Sequence, residues 1–239
     1  MNLFPSYLCN FHCSFCGIRK DESPLMPLDE LEAVLKEVQP SSLSILGGEP
    51  LLLEHDYLNR LLDLCWEATG TAPVVYTNGS IIRPEMQRMH IVVSVDPEDR
   101  ERQADVFNNL LAIEYPFWVN MILTKGLVEG GAARLKRKFR PLKNLQKINL
   151  SGYYRFPGHK DETPEPDALR AFLQELLQDA RFVYAEHEEM PSFDDVLKLL
   201  PDMRFLIETP MHEFRQAFSS LASARQYYEK VLHEYNPEL

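Results

Sequence analysis

Asn2-Leu3-Phe4-Pro5-Ser6-Tyr7-Leu8-Cys9-Asn10-Phe11-His12-Cys13-Ser14-Phe15-Cys16 opens with a short apolar-rich strand, Asn2 to Leu8, that runs straight into three cysteines. Cys9, Cys13 and Cys16 are separated by three residues and then by two. Thiolates at that spacing can wrap three corners of a cubane iron–sulfur cluster and leave its fourth iron without a protein ligand. A site meant only to retain its metal is normally closed by a fourth Cys or His, whereas an open iron can chelate a substrate. Two other readings compete. A zinc site completed by His12 would lack the paired CxxC arrangement of common zinc modules, and a ferredoxin-like electron carrier would want a fourth cysteine and no large fold around it.

Outward from this segment, strands and helices take turns. Leu31, Val34, Leu35 and Val38 repeat at helical spacing, and Leu43 to Leu46 is the next strand. A helix with the stripe Leu58, Leu61, Leu62 and Cys65 follows, then Val74 to Tyr76 as a third strand. Ile91 to Val95, Phe117 to Leu123 and Lys147 to Leu150 read as strands four to six, with helical segments near Asp99 to Ala112 and Gly131 to Arg140 between them. This βαβα order predicts a parallel sheet with right-handed crossovers. The pattern then changes, which predicts an incomplete six-fold barrel rather than a closed eight-fold one. Beyond a loop holding Pro157, Gly158, Pro164 and Pro166 lies a helix carrying Leu169, Phe172, Leu173 and Leu176. Arg181 to Ala185 and Phe205 to Ile207 read as short strands and Glu213 to Tyr235 as a long terminal helix. The expected division is a barrel core over residues 1–185 and a C-terminal helical extension, 186–239, packed on the same domain. The fold class is therefore α/β.

Directly after the second strand stands Gly47-Gly48-Glu49-Pro50. Glycines there let backbone approach a ligand, and Glu49 places a carboxylate at the C-terminal rim, the catalytic face of such barrels. The same four residues are also an ordinary turn between strand and helix. With CxxxCxxC upstream, Phe15 just before the last cysteine and GGEP in the expected order, residues 2 to 154 resemble the radical S-adenosylmethionine superfamily. The C-terminal third shows no resemblance of its own.

The resemblance implies a partial (β/α)6 TIM-like barrel and a 4Fe-4S cluster held by Cys9, Cys13 and Cys16. It implies reductive cleavage of S-adenosyl-L-methionine to a 5′-deoxyadenosyl radical that abstracts hydrogen from a substrate. Gly47, Gly48 and Glu49 would take the methionyl amino group, Ser94 the carboxylate and Asn120 the ribose hydroxyls. The backbone around Gly152 and Tyr153 would take the adenine, with Phe15 and Asn78 completing the cofactor-binding set. Thr77, Asp96 and Tyr154 share the rim. Strand five is followed by Leu123-Thr124-Lys125-Gly126 rather than by a glycine-rich adenine motif. An iron–sulfur protein without substrate turnover is the alternative, and it has no use for Glu49 and its glycines.

The remaining properties set limits. The 239 residues are 45% hydrophobic and 26% charged, ordinary for one globular core. No apolar run reaches membrane-spanning length and no secretory signal opens the sequence, so a cytoplasmic protein is expected, with no membrane partner. Four cysteines are too few for a disulfide scaffold, and none follows Cys65, which argues against a second cluster. The net charge of −11 argues against nucleic-acid binding. The basic run Arg134, Lys136, Arg137, Lys138, Arg140 and Lys143 reads as the solvated face of a helix. Expected partners are a reductant such as flavodoxin or ferredoxin and a substrate that the sequence does not name.

Overall fold

The structure, a computed structural model, describes residues 1–13, 16, 23–95, 103–153, 161–184, 191–209 and 215–235. Its strands are β1 (Asn2–Leu3), β2 (Ser44–Ile45), β3 (Val74–Thr77), β4 (His90–Ser94), β5 (Phe117–Leu123), β6 (Leu145–Gly152), β7 (Phe182–Tyr184), β8 (Leu197–Leu199), β9 (Phe205–Glu208) and β10 (Arg215–Phe218). Its helices are α1 (Leu28–Val38), α2 (His55–Thr69), α3 (Gln103–Ala112), α4 (Lys125–Glu129), α5 (Ala132–Phe139), α6 (Pro166–Leu176), α7 (Phe193–Val196) and α8 (Leu221–Tyr235). All ten strands join one sheet in the order β10-β9-β8-β1-β2-β3-β4-β5-β6-β7. From β8 through β7 every pairing is parallel, and β9 and β10 add antiparallel strands at one edge. The sheet curls into the partial TIM-like barrel that the strand–helix alternation predicts.

Alternation along β5 decides which residues face which way. Phe117, Val119, Met121 and Leu123 are buried against the helices, while Trp118, Asn120 and Ile122 are half-buried on the concave face. A strand's period of two produces this division directly. The helices supply the matching apolar stripes: Leu31, Leu35 and Val38 on α1, and Leu58, Leu61, Leu62, Leu64 and Cys65 on α2. No helix among the described residues is long and apolar enough to cross a membrane.

The C-terminal part differs from expectation in its details. Arg215–Phe218 is a strand rather than the start of a helix, because pairing with β9 overrides the helical propensity of Arg215, Gln216 and Ala217. The terminal helix begins at Leu221. Besides that helix, the extension adds β8, which pairs with β1 and so borders the strand leading to the cysteines. The expected boundary between residues 185 and 186 falls outside the described residues. The basic run lies on and just after α5, where Lys136 donates to the Glu175 carbonyl and Lys138 sits over the Phe107 ring.

Cys65 lies wholly in the helix–sheet core, and burial pushes its thiol up to about 12. It is a small core hydrophobe, far from the thiolate form that ligates metal. Cys65→Ala is expected to lower unfolding free energy by about 1 kcal/mol while leaving iron content unchanged. Denaturant titration and iron analysis check both, and a loss of iron would return Cys65 to the metal site.

Candidate active site

The C-terminal ends of β1 and β2 are tied beyond their short ladders. Leu46 N donates to Leu3 O at 2.8 Å, Gly48 N to Ser6 O at 3.0 Å and Glu49 N to Leu8 O at 2.7 Å. The backbones come so close that a Cβ on Gly47 would stand 2.4 Å from Ser6 O, and one on Gly48 only 1.9 Å from Leu8 O. Gly47 also has φ 119°, which disfavours any side chain. The close approach expected of these glycines is therefore made to the chain's own segment leading into Cys9.

Glu49 departs from the sequence expectation in a related way. Its side chain is 2% exposed and accepts hydrogen bonds from Leu51 N at 3.0 Å, Thr77 Oγ1 at 2.7 Å and Asn78 N at 2.6 Å. The carboxylate is turned into the junction of the β2 and β3 ends and does not line the cavity beside it. From Asn78 the network reaches the cysteine segment: Asn78 Nδ2 lies 2.9 Å from Asn10 Oδ1 and 3.8 Å from Cys9 Sγ, and Asn10 Nδ2 donates to Ser80 Oγ at 2.9 Å. Behind it, Arg83 donates to the carbonyls of Leu51 and Leu53 and pairs with Glu85 at 2.7 Å. Burial alone would raise the Glu85 carboxyl. Hydrogen bonds from its own backbone N–H, Arg83 and His55 outweigh that and hold it at about 2.

One cavity of about 330 Å³ opens at this rim. Cys9, Cys13 and Cys16 line it together with Gly47, Gly48, Asn78, Ser94 and Asn120. Phe4, Phe11, Leu46, Tyr76 and Thr77 complete the wall. The volume is in the range of small-molecule sites. Among the described residues no three His, Cys, Asp or Glu side chains converge tightly enough to hold a single ion, and His12 is exposed and does not line the cavity. Three thiols around a roomy space suit a multi-atom cluster better than one zinc ion. Buried Phe11 anchors the turn between the first two cysteines, and its amide lies 3.4 Å from Cys9 Sγ.

Of the residues singled out in the sequence, nine thus meet at one cavity. Tyr153 follows Gly152 at the end of β6 but does not line the cavity, and Phe15, Asp96 and Tyr154 lie outside the described residues. Phe4, Leu46 and Tyr76 were not anticipated. Strand periodicity carries the signal for Tyr76, which sits two residues before Asn78 on the same strand face.

No protein-family model matches the chain. Over 80 residues, 31% of this chain and 23% of the relative, it is 31% identical to S-adenosylmethionine-dependent nucleotide dehydratase RSAD2 of Oncorhynchus mykiss. Over 99 residues, 38% of this chain and 40% of the relative, it is 33% identical to 7-carboxy-7-deazaguanine synthase of Hyperthermus butylicus. The CxxxCxxC and GGEP segments themselves meet at one cavity. Both of these curated relatives are radical S-adenosylmethionine enzymes, the family that the two motifs resemble. The matched stretches span less than half of each of these curated relatives. The fold likeness reaches further than the sequence likeness. Streptococcus suis SuiB bound to S-adenosylmethionine superposes with a TM-score of 0.68 at 17% identity, covering 97% of this chain and 66% of that one. The S-adenosylmethionine-bound protein anSMEcpe gives 0.67 at 16% identity over 98% and 81%. The C-terminal third, without resemblance in sequence, thus lies within the fold shared with these two structures.

Glu49→Gln places an amide NH₂ among three donors inside the β2–β3 junction. Apo protein is expected to lose about 2–3 kcal/mol of stability in denaturant titration, and to retain cluster poorly after reconstitution. A variant as stable as wild type, weakened only in S-adenosylmethionine binding, would show that the carboxylate meets the methionyl ammonium directly.

Proposed function

We propose that this chain is a radical S-adenosylmethionine enzyme whose 4Fe-4S cluster is held by Cys9, Cys13 and Cys16. The observation that carries the reading is the shared cavity: three thiols, the Gly47-Gly48 backbone and the polar side chains of Asn78, Ser94 and Asn120 all border one space. When bound, the cluster and S-adenosylmethionine supply a 5′-deoxyadenosyl radical able to abstract hydrogen from an unreactive carbon.

The chain's own part is to bind, orient and enclose. Three cysteines leave one iron of a cubane without a protein ligand, so that the methionyl amine and carboxylate can reach it. Asn78 steadies Cys9 through its amide, and Glu49 steadies Asn78, so that Glu49 acts as a positioning residue. Ser94 and Asn120, neighbours in the β4–β5 register, offer hydrogen bonds to the methionyl carboxylate and the ribose. Phe4, Phe11, Leu46 and Tyr76 give the wall an apolar lining that excludes water from a reactive radical. Electrons would come from a reductant protein such as flavodoxin or ferredoxin, which fits a reducing, cytoplasmic setting. The named relatives catalyse different reactions, a dehydration and a synthase step, so no one outcome is carried over from them.

Anaerobically reconstituted protein is expected to hold about four irons per chain. Reduced by dithionite, it should convert S-adenosylmethionine to 5′-deoxyadenosine, measured by chromatography. Alanine at Cys9, Cys13 or Cys16 should abolish both. A full cluster with no 5′-deoxyadenosine would leave an iron–sulfur electron carrier, and zinc in place of iron would overturn the cluster itself.

A further inference from the structure

The cavity residues Ser94 and Asn120 belong to a cross-strand row that continues to Asn149 on β6. One residue pair below, about 7 Å along the strands, runs a second row on the same concave face: Tyr76, Val92, Trp118 and Lys147. Tyr76 borders the cavity itself, which fixes the face to which the whole row belongs. Val92, in the same row, is fully buried.

Three polar groups on these rows have no polar partner among the described residues. The Tyr76 hydroxyl and the Asn149 amide make no hydrogen bond, and Lys147 makes no ion pair. The Lys147 ammonium rests instead over the Trp118 ring, 5.1 Å from its centroid. All are half-buried, so each has given up part of its hydration without a protein partner in return. In a curled sheet whose opposite face is filled by helices, such groups mark the surface that receives a ligand. A lysine packed on tryptophan is also held in place, which lowers the entropic cost of pairing it with an anion.

The geometry points to this row as the seat of the substrate, and to a substrate that carries an oxyanion, a phosphate or a carboxylate, paired with Lys147. Its reacting part lies over Tyr76 and Trp118, under the row proposed for S-adenosylmethionine. This assignment rests on that reading of the cavity. Asn149, standing two residues from Lys147 on β6, adds an amide able to donate to the same anion or to a neighbouring polar group.

The chain has two tryptophans, Trp66 and Trp118, and Trp66 is exposed on the outer helix α2. In a Trp66→Phe background, emission therefore reports on Trp118 alone. Anaerobically reconstituted protein with S-adenosylmethionine is titrated with pyrophosphate or with succinate, against chloride at equal ionic strength. The expected result is a saturable change with at least one of the two, and which one responds tells phosphate from carboxylate. Lys147→Met, which keeps the aliphatic stem over the ring and removes the charge, should weaken the response about tenfold or more. Lys147→Arg should restore most of it. No saturable response beyond chloride, or one that Lys147→Met leaves unchanged, would overturn the assignment. The titration needs no turnover. A protein that binds the oxyanion but makes no 5′-deoxyadenosine loses the proposed function and keeps the site, and the converse loses the site alone.

Discussion

The buried carboxylate of Glu49 is the interaction on which the rim depends. Three β-strand ends must meet there: the segment leading to Cys9, the glycine turn after β2 and the end of β3. None of the three is long, since β1 and β2 hold two residues each in regular pairing. What joins them is a carboxylate accepting from Leu51 N, Thr77 Oγ1 and Asn78 N, while its own backbone N–H donates to Leu8. An ionised acceptor taking several hydrogen bonds out of water is strong when complete and costly when any part is removed. The glycines serve the same junction, because any Cβ at Gly48 would push the cysteine segment away.

The two faces of the sheet carry different work. Odd-numbered residues of β5 build the core with the helices, and even-numbered ones, Trp118, Asn120 and Ile122, face the concave side. Stability and chemistry are therefore separated by a single alternation, and Cys65 and Cys9 show the consequence: one thiol is sealed behind the sheet, the other opens on the cavity. Charge follows the same logic. The basic run on α5 belongs to the outer layer, whereas Lys147 stands on the concave face over the Trp118 ring.

Much of this was legible in the sequence where periodicity was long or residue types were rare. The stripes of α1 and α2 and the alternation of β5 each admit few readings, and the structure carries them, while the cysteine spacing brings three thiols to one cavity. Short elements were not legible. Helix α4, five residues capped by the Thr124 side chain, is too brief to show a period, and β8 is three residues whose partner lies at the other end of the chain. The sequence of β10 reads as helix because local propensity cannot reveal an antiparallel neighbour. At the site, residue types announced Glu49 as important but not which way it faces. That depends on Thr77 and Asn78, about thirty residues further on, and becomes visible only when β2 and β3 lie side by side.

The proposed chemistry requires that a cluster held by these three cysteines offer an open iron to S-adenosylmethionine. The most direct measurement is electron paramagnetic resonance of the reduced, reconstituted protein, recorded with and without S-adenosylmethionine. A change in the cluster's spectrum on addition is expected, because the amine and carboxylate would become ligands of the iron that no cysteine holds. A 4Fe-4S signal unaltered by saturating S-adenosylmethionine would contradict it.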